Sequence, residues 1–397
     1  MRGATLATLR SMQVPDALRP THRLLLGPGP SPVPPSVLTA LGLPTIGHLD
    51  PAFLRVMDEI RAMLHALMGA GTGGRTTPIS ATGSAGMETC VVNLLERGSR
   101  ALIVRAGVFG TRMAEVAERA GAEVTTFDVP WGEAFEVGAL EEAVGDARFD
   151  LVGVVHAETS TGVLQPLEGL SDFAHQRGAL LLVDAVTSLG GVPVEVERHG
   201  IDALYSGTQK CLSCPPGLSP VHVSARALER IANRRTKVQS WYLDLSLIEG
   251  YWGGERAYHH TAPINMLFGL HEALRLAFEE GVEARYARHA RVAAALWSGL
   301  EALDLAPRVA LEHRLAPLTT LAVPDGVDEA ALRRQLLDEH DLEIGGGLGP
   351  MKGTTWRIGL MGHGATEESV VRCLTALGAV LDRDARAAVD AATRALQ

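Results

Sequence analysis

Lysine is nearly missing from this chain. Of 36 basic residues in 397, only Lys210, Lys237 and Lys352 are lysine, so the positive surface is written in arginine. Cysteine is also sparse: four cysteines at irregular spacing cannot form a secreted disulfide framework, which points to a reducing, cytoplasmic compartment. No run approaches the roughly 18 apolar residues of a membrane helix. Met1–Pro20 reads as an arm without the apolar core of an export signal, and Arg394-Ala395-Leu396-Gln397 matches no peroxisomal address. Basic blocks are absent and the formal charge is -10, which argues against nucleic acid or an anionic membrane as a partner. What remains, 46% hydrophobic and 21% charged residues, is the composition of a folded globular protein of two or three domains.

Elements follow from the apolar pattern. Leu24-Leu25-Leu26 runs into Gly27-Pro28-Gly29-Pro30, a turn that neither helix nor central strand could include. Asp50-Pro51 caps a segment with Phe53, Met57, Ile60, Leu64 and Leu67 on one face, the spacing of a helix packed on one side. From residue 80 onward, short apolar runs at 101–104, 123–127, 151–155, 179–183 and 203–205 alternate with helical patterns such as 111–120 and 169–177. Such alternation predicts an α/β fold with a mainly parallel sheet between helices, and ligands at the carboxyl ends of its strands. A long Ala- and Arg-rich helix, about 282–303, marks a junction. Beyond it, strand patterns at 318–323, 342–344 and 355–360 alternate with helices near 328–340 and 366–392, a small C-terminal α+β domain. The expected division is an arm over 1–23, a large domain over 24–281 and a small one over 282–397.

Two strand ends carry the chemistry. Lys210 closes Tyr205-Ser206-Gly207-Thr208-Gln209-Lys210 just after an apolar run, and an amine, unlike a guanidinium, can lose a proton and attack a carbonyl. Alone, it has a second reading as a survivor of an arginine-rich composition. Asp184 ends Leu180-Leu181-Leu182-Val183, and by itself it could be a helix cap or a turn residue. Together they supply what pyridoxal phosphate (PLP) requires: a lysine to form an imine and a carboxylate to keep a pyridine nitrogen protonated. Ser80-Ala81-Thr82-Gly83-Ser84-Ala85-Gly86-Met87 adds a small-residue turn opening a helix, where free N–H groups meet an anion. Its spacing matches neither G-x-G-x-x-G nor a Walker loop.

These segments carry a resemblance. With His156 to Pro166, Val183 to Gly190, Gly200 to Lys210, Pro215-Pro216-Gly217, Tyr258-His259-His260-Thr261, Gly345 to Gly349 and Trp356 to Gly362, the chain from about residue 24 to its last helix resembles the class V, fold type I aminotransferases, and within them the alanine–glyoxylate and serine–pyruvate group. The resemblance implies a homodimer with shared active sites, pyridoxal 5'-phosphate as cofactor, and small amino acids and 2-oxo acids as substrates. It implies that Lys210 binds the cofactor and shuttles the α-proton and that Asp184 pairs with the ring nitrogen. It seats the phosphate on Gly83, Ser84, Ala85 and Gln209, with Tyr258 and Thr261 reaching in from the other subunit. Phe109 takes the ring-stacking place where the best-known members carry tryptophan, and Thr159 lies by the phenolic oxygen. Arg357 clamps the substrate carboxylate, with Gly29 and Thr159 beside the substrate. Phe109, Ser84 and Thr159 leave substrate choice open among alanine, serine, ureidoglycine, 2-aminoethylphosphonate and pyridoxamine.

Competing readings have specific objections. Cys211-Leu212-Ser213-Cys214 has a zinc-like spacing but no second ligand pair, so packing near the lysine loop is expected. Adjacent His259 and His260 in an extended segment are expected to point opposite ways and to serve an interface. A cysteine desulfurase needs a mobile nucleophilic cysteine late in the chain, and only Cys373, in a helical pattern, follows Cys214. A Schiff-base aldolase barrel does not explain the α+β tail, and a binding protein with a vestigial pocket does not explain Lys210, Asp184 and Arg357 together.

Overall fold

The computed structural model describes residues 15–397, so residues 1–14 of the expected arm lie outside the described residues. The strands in chain order are β1 (Leu24–Leu25), β2 (Arg75–Ile79), β3 (Arg100–Arg105), β4 (Glu123–Asp128), β5 (Leu151–Val155), β6 (Ala157–Glu158), β7 (Val163–Leu164), β8 (Leu180–Asp184), β9 (Ala203–Tyr205), β10 (Ser219–Val223), β11 (Leu318–Ala322), β12 (Leu342–Glu343), β13 (Gly345–Gly346) and β14 (Thr355–Gly359). Seven of them form the main sheet in the order β2-β10-β9-β8-β5-β3-β4. The stretch from β4 to β9 is parallel, as the alternating pattern predicts, and every residue of β5 and β8 is buried.

Two sheet strands, β2 and β10, escape the hydrophobic pattern. Each holds a proline and several hydroxyl or imidazole groups, Arg75-Thr76-Thr77-Pro78-Ile79 and Ser219-Pro220-Val221-His222-Val223, which reads as loop. In the fold Pro78 lies opposite Pro220, with β2 at the sheet edge. Pro220 has no N–H for the carbonyl it faces on Ser206, the residue after β9. Ser219 Oγ donates to that carbonyl instead, at 2.6 Å, while Ser206 N–H donates to Pro220 O at 2.8 Å. A neighbouring hydroxyl thus stands in for the missing amide, and the strand stays in the sheet.

A second hydrophobic core gathers Leu26, the inner face of the helix Val282–Ala302, β11, β14 and the C-terminal helices. The three-stranded sheet there runs β11-β14-β13, antiparallel. β1 pairs in parallel with β12, so the first strand of the described chain joins this second layer. The helix expected over 366–392 is instead two, Glu367–Val380 and Ala385–Leu396. Asp382 takes a left-handed conformation (φ 54°), and Asp384 caps the new helix by accepting from Ala387 N–H at 3.0 Å. Gly378 lets the two helices meet, because a Cβ there would lie 2.8 Å from Ala385 Cα. Among the described residues no helix is long and apolar enough to cross a membrane.

Candidate active site

Parallel β8 and β9 end side by side, with Asp184 in register with Tyr205. That register decides the environment of the acid. Asp184 is 2% exposed, its Oδ2 accepts from Tyr205 OH at 2.7 Å and its Oδ1 from Val186 N–H at 2.8 Å. Burial pushes its carboxyl up to about 6 against the opposing effect of those two donors. A buried acid of this kind gains from a cation placed beside it.

Lys210 follows β9 on the same edge and is 8% exposed. Its Nζ donates to Pro28 O, and the loop is tied back by Ser31, whose Oγ donates to Lys210 O at 2.7 Å and whose N–H donates to Gln209 O at 2.8 Å. Gly29 is held by this contact: its φ is +109°, and a Cβ there would lie 2.8 Å from Lys210 Cδ. Burial, helped by the nearby Arg357 charge, lowers the amine to about 8. The sign follows directly. A lysine lowered from 10.5 to about 8 is neutral, and so nucleophilic, for about a quarter of molecules at pH 7.5, against about one in a thousand for an exposed lysine. Capture of added PLP by cofactor-free protein, followed by its visible band, is therefore expected to accelerate about tenfold per pH unit below about pH 7, more slowly towards pH 8, and then to level off. A rise continuing past pH 10 would contradict this environment for Lys210.

The helix Gly83–Leu94 begins beside this pair, with no side-chain cap from Thr82. Ala85 N–H is bonded to Thr82 O at 2.9 Å, so Ala85, one of the expected phosphate ligands, has no free donor. Gly83 and Ser84 keep theirs, since no acceptor for their N–H groups occurs among the described residues. Gly83 packs closely: a Cβ would stand 3.1 Å from Val186 Cγ2, which would have to shift slightly. Gln209 Oε1 is buried and unpartnered, and turning the amide about would present an N–H₂ donor there. Two free N–H groups, an orphan buried amide, a buried acid and a deprotonatable amine together fit a phosphorylated pyridine aldehyde.

Arg357 comes from β14, 7% exposed, reaching this edge from the second sheet. Its Nε donates to Gly346 O at 2.7 Å and its Nη1 to Thr159 O at 3.1 Å. Its Nη2 makes no hydrogen bond among the described residues. Gly345 opposite it cannot carry a side chain, because a Cβ would lie 2.5 Å from Pro28 Cδ.

Phe109, at the start of the helix Val108–Arg119, takes its place through its own N–H, which donates to Glu158 Oε2 at 3.1 Å. Arg112 covers its ring at 5.0 Å and reaches Ser84 Oγ at 3.4 Å, which joins the residues expected to stack on the cofactor and to hold its phosphate. Tyr258 and Thr261 stand apart. Tyr258 is 62% exposed, its OH is 3.4 Å from Thr261 Oγ1, and neither residue bonds to Lys210 or Asp184.

His259 and His260 depart from the opposite orientation expected of them. Their Nδ1 atoms are 2.8 Å apart, Trp241 stacks on His259 at 4.4 Å, and His260 Nε2 lies 2.8 Å from Ser80 Oγ. The chain is bent there rather than extended, so the rings meet and brace the Ser80 turn. All four cysteines are buried, Cys211 Sγ contacts Thr187 O at 3.2 Å, and no three metal-binding side chains cluster among the described residues. Burial raises the Cys373 thiol to about 12, which leaves no reactive late cysteine. Tyr205, Glu158, Ser160 and Arg112 are the site's neighbours that motif reading misses. Only the polar ends of β6 and β9 hint at them.

Comparison with known proteins agrees with this geometry. The family model described as aminotransferase class-V matches residues 24–368. The crystal structure of alanine–glyoxylate aminotransferase from Nostoc sp. superposes with a TM-score of 0.92 at 48% identity, covering 94% of this chain and 98% of that one. Alanine–glyoxylate aminotransferase of Oryctolagus cuniculus is 41% identical over 94% of this chain and 97% of its own length. Ureidoglycine–glyoxylate aminotransferase from Bacillus subtilis superposes with a TM-score of 0.93 at 36% identity over 96% and 99% of the two chains. The architecture is that of the fold type I PLP-dependent aminotransferases. A family match over most of the length, with relatives aligned nearly end to end, leaves one assignment: the chain belongs to the class-V aminotransferase family.

Proposed function

We propose that this protein uses pyridoxal 5'-phosphate to move the amino group of L-alanine to glyoxylate, with L-serine and pyruvate as the related donor and acceptor. The observation carrying it is the meeting of Lys210, Asp184 and the open end of Arg357 at one sheet edge. Glyoxylate is named for all three relatives above, and alanine for two of them. Ureidoglycine, named for the third, is the alternative donor.

When bound, PLP supplies an electron sink and the carbon that carries the amino group between half-reactions. Asp184, whose Oδ2 is already paired with Tyr205 OH, would keep the cofactor's ring nitrogen protonated. Gly83 and Ser84 N–H groups and Gln209 would hold the phosphate, and Phe109 would cover the ring. Arg357 Nη2 and the outward Nη1 proton grip the α-carboxylate, turning the Cα–H bond towards Lys210 Nζ. Lys210 Nζ takes that proton and returns one, which its lowered proton affinity permits near neutral pH. Tyr258 and Thr261 complete the phosphate seat of a second copy, and the exposed Trp241 and Tyr258 support a homodimeric contact. Residues 24–281 would be the cofactor-binding unit and 282–397 the smaller one, with β1 packed against β12 of the smaller unit. The buried free thiols suit a cytoplasmic setting.

The test is spectroscopic. L-alanine should abolish the visible band of the PLP-loaded protein with release of pyruvate, and glyoxylate should restore it. A band indifferent to alanine, serine and ureidoglycine sinks the proposal. In the same assay Arg357→Lys is expected to lower kcat/KM for L-alanine about a hundredfold, mostly through KM, since lysine cannot reproduce the two-pronged grip.

A further inference from the structure

Glu158 is a buried carboxylate, 1% exposed, to which the mechanism above gives no task. It lies at the end of β6, and its side chain is spent on the backbone that carries Phe109. Oε2 accepts from Phe109 N–H at 3.1 Å. Oε1 accepts from Ser160 N–H at 3.0 Å and from Ser160 Oγ–H at 2.6 Å. Ser160 Oγ in turn accepts from Val108 N–H at 3.0 Å. Gly107 precedes the helix Val108–Arg119 and offers no capping side chain, so these first N–H groups would otherwise have no acceptor. Gly107 is also fixed in type, because a Cβ there would lie 2.5 Å from Glu158 Cδ.

We propose that Glu158, acting with Ser160, is a positioning residue for the cofactor: it caps the Phe109 helix from across the site and thereby sets the angle at which the Phe109 ring meets the pyridine. The proposal rests on the reading of Phe109 as the stacking residue. Three features favour positioning over simple structural support. Every donor on the carboxylate comes from Phe109, its immediate helix neighbour or Ser160. The next residue, Thr159, supplies the carbonyl that orients Arg357, so one short turn sets both the ring face and the carboxylate grip. And the group must be an acceptor on both oxygens, which glutamine of the same shape is not.

A double-mutant cycle decides it, read as the PLP dissociation constant and the visible circular dichroism of bound cofactor. Phe109→Ala and Glu158→Gln are each expected to weaken PLP binding about tenfold, roughly the worth of the one stacking contact that both disturb. In the Phe109→Ala background, Glu158→Gln should add less than about twofold, since there is no ring left to orient. Ser160→Ala, a milder change that removes the Val108 acceptor, should shift the dichroism in the same direction and is the variant to use if Glu158→Gln does not fold. Multiplying effects, or a Glu158→Gln protein that loses thermal stability while affinity and dichroism stay unchanged, would overturn the proposal alone. An unchanged dissociation constant in Phe109→Ala overturns the stacking assignment and this proposal with it.

Discussion

Lys210→Ala is expected to lower transamination by at least about 10⁴-fold while the protein folds and still takes up PLP. Two roles are lost at once, the covalent anchor and the proton carrier, and positioned proton transfer alone contributes about 10²–10⁴-fold. Retained uptake follows from the geometry: the Gly83 and Ser84 N–H groups, Gln209 and Asp184 do not depend on the amine. Removing a buried amine that bonds only to Pro28 O leaves one carbonyl short of a donor. Reduction with borohydride distinguishes the states. In the native protein it should fix the cofactor to the peptide bearing Lys210, and in the variant cofactor should wash away. Turnover within a factor of ten of native would refute the assignment of Lys210.

Asp184→Asn carries the next largest effect, a fall in kcat of about 10³-fold. In the proposed function the buried carboxylate would face a charge on the cofactor ring, and losing one member of a buried ion pair costs about 3–5 kcal/mol. Tyr205 provides an internal control. Its OH donates to Asp184 Oδ2, so Tyr205→Phe should leave the acid in place but raise its proton affinity further, since that donor now opposes the burial effect. A small loss in Tyr205→Phe beside a large one in Asp184→Asn is the expected pattern. Equal losses would mean that orientation, not charge, is what Asp184 supplies.

Much of this site is legible in the chain because its residues sit where buried strands end. Leu180–Asp184 and Ala203–Tyr205 announce themselves by continuous apolar character, and the polar residue at each end then lies on a known edge. Contacts made across strands are a different matter. Tyr205 reads as the last core residue of its strand, and only the pairing of Asp184 with Tyr205 reveals that its hydroxyl serves the acid. Glu158 is hidden for the same reason, since its donors lie 49 positions away in Phe109 or two positions on in Ser160. β2 and β10 are invisible because their prolines signal a break, and the compensating hydroxyl of Ser219 acts between strands. The split of the last helix was available locally: Asp382-Arg383-Asp384 combines a residue that tolerates the left-handed region with a helix cap.

The pairing of β1 with β12 sets an order of events on the ribosome. Leu24–Leu25 are made early but have no strand to join until Leu342–Glu343 emerge, and Leu26 O accepts from Gly359 N–H at 2.7 Å only after that. The Gly27–Pro30 turn, whose Pro28 carbonyl meets Lys210, therefore stays unattached at one end through most of synthesis. Parts of the lysine pocket written first are assembled last, so a chain stalled before residue 342 could build the main sheet and still lack one wall of its active site.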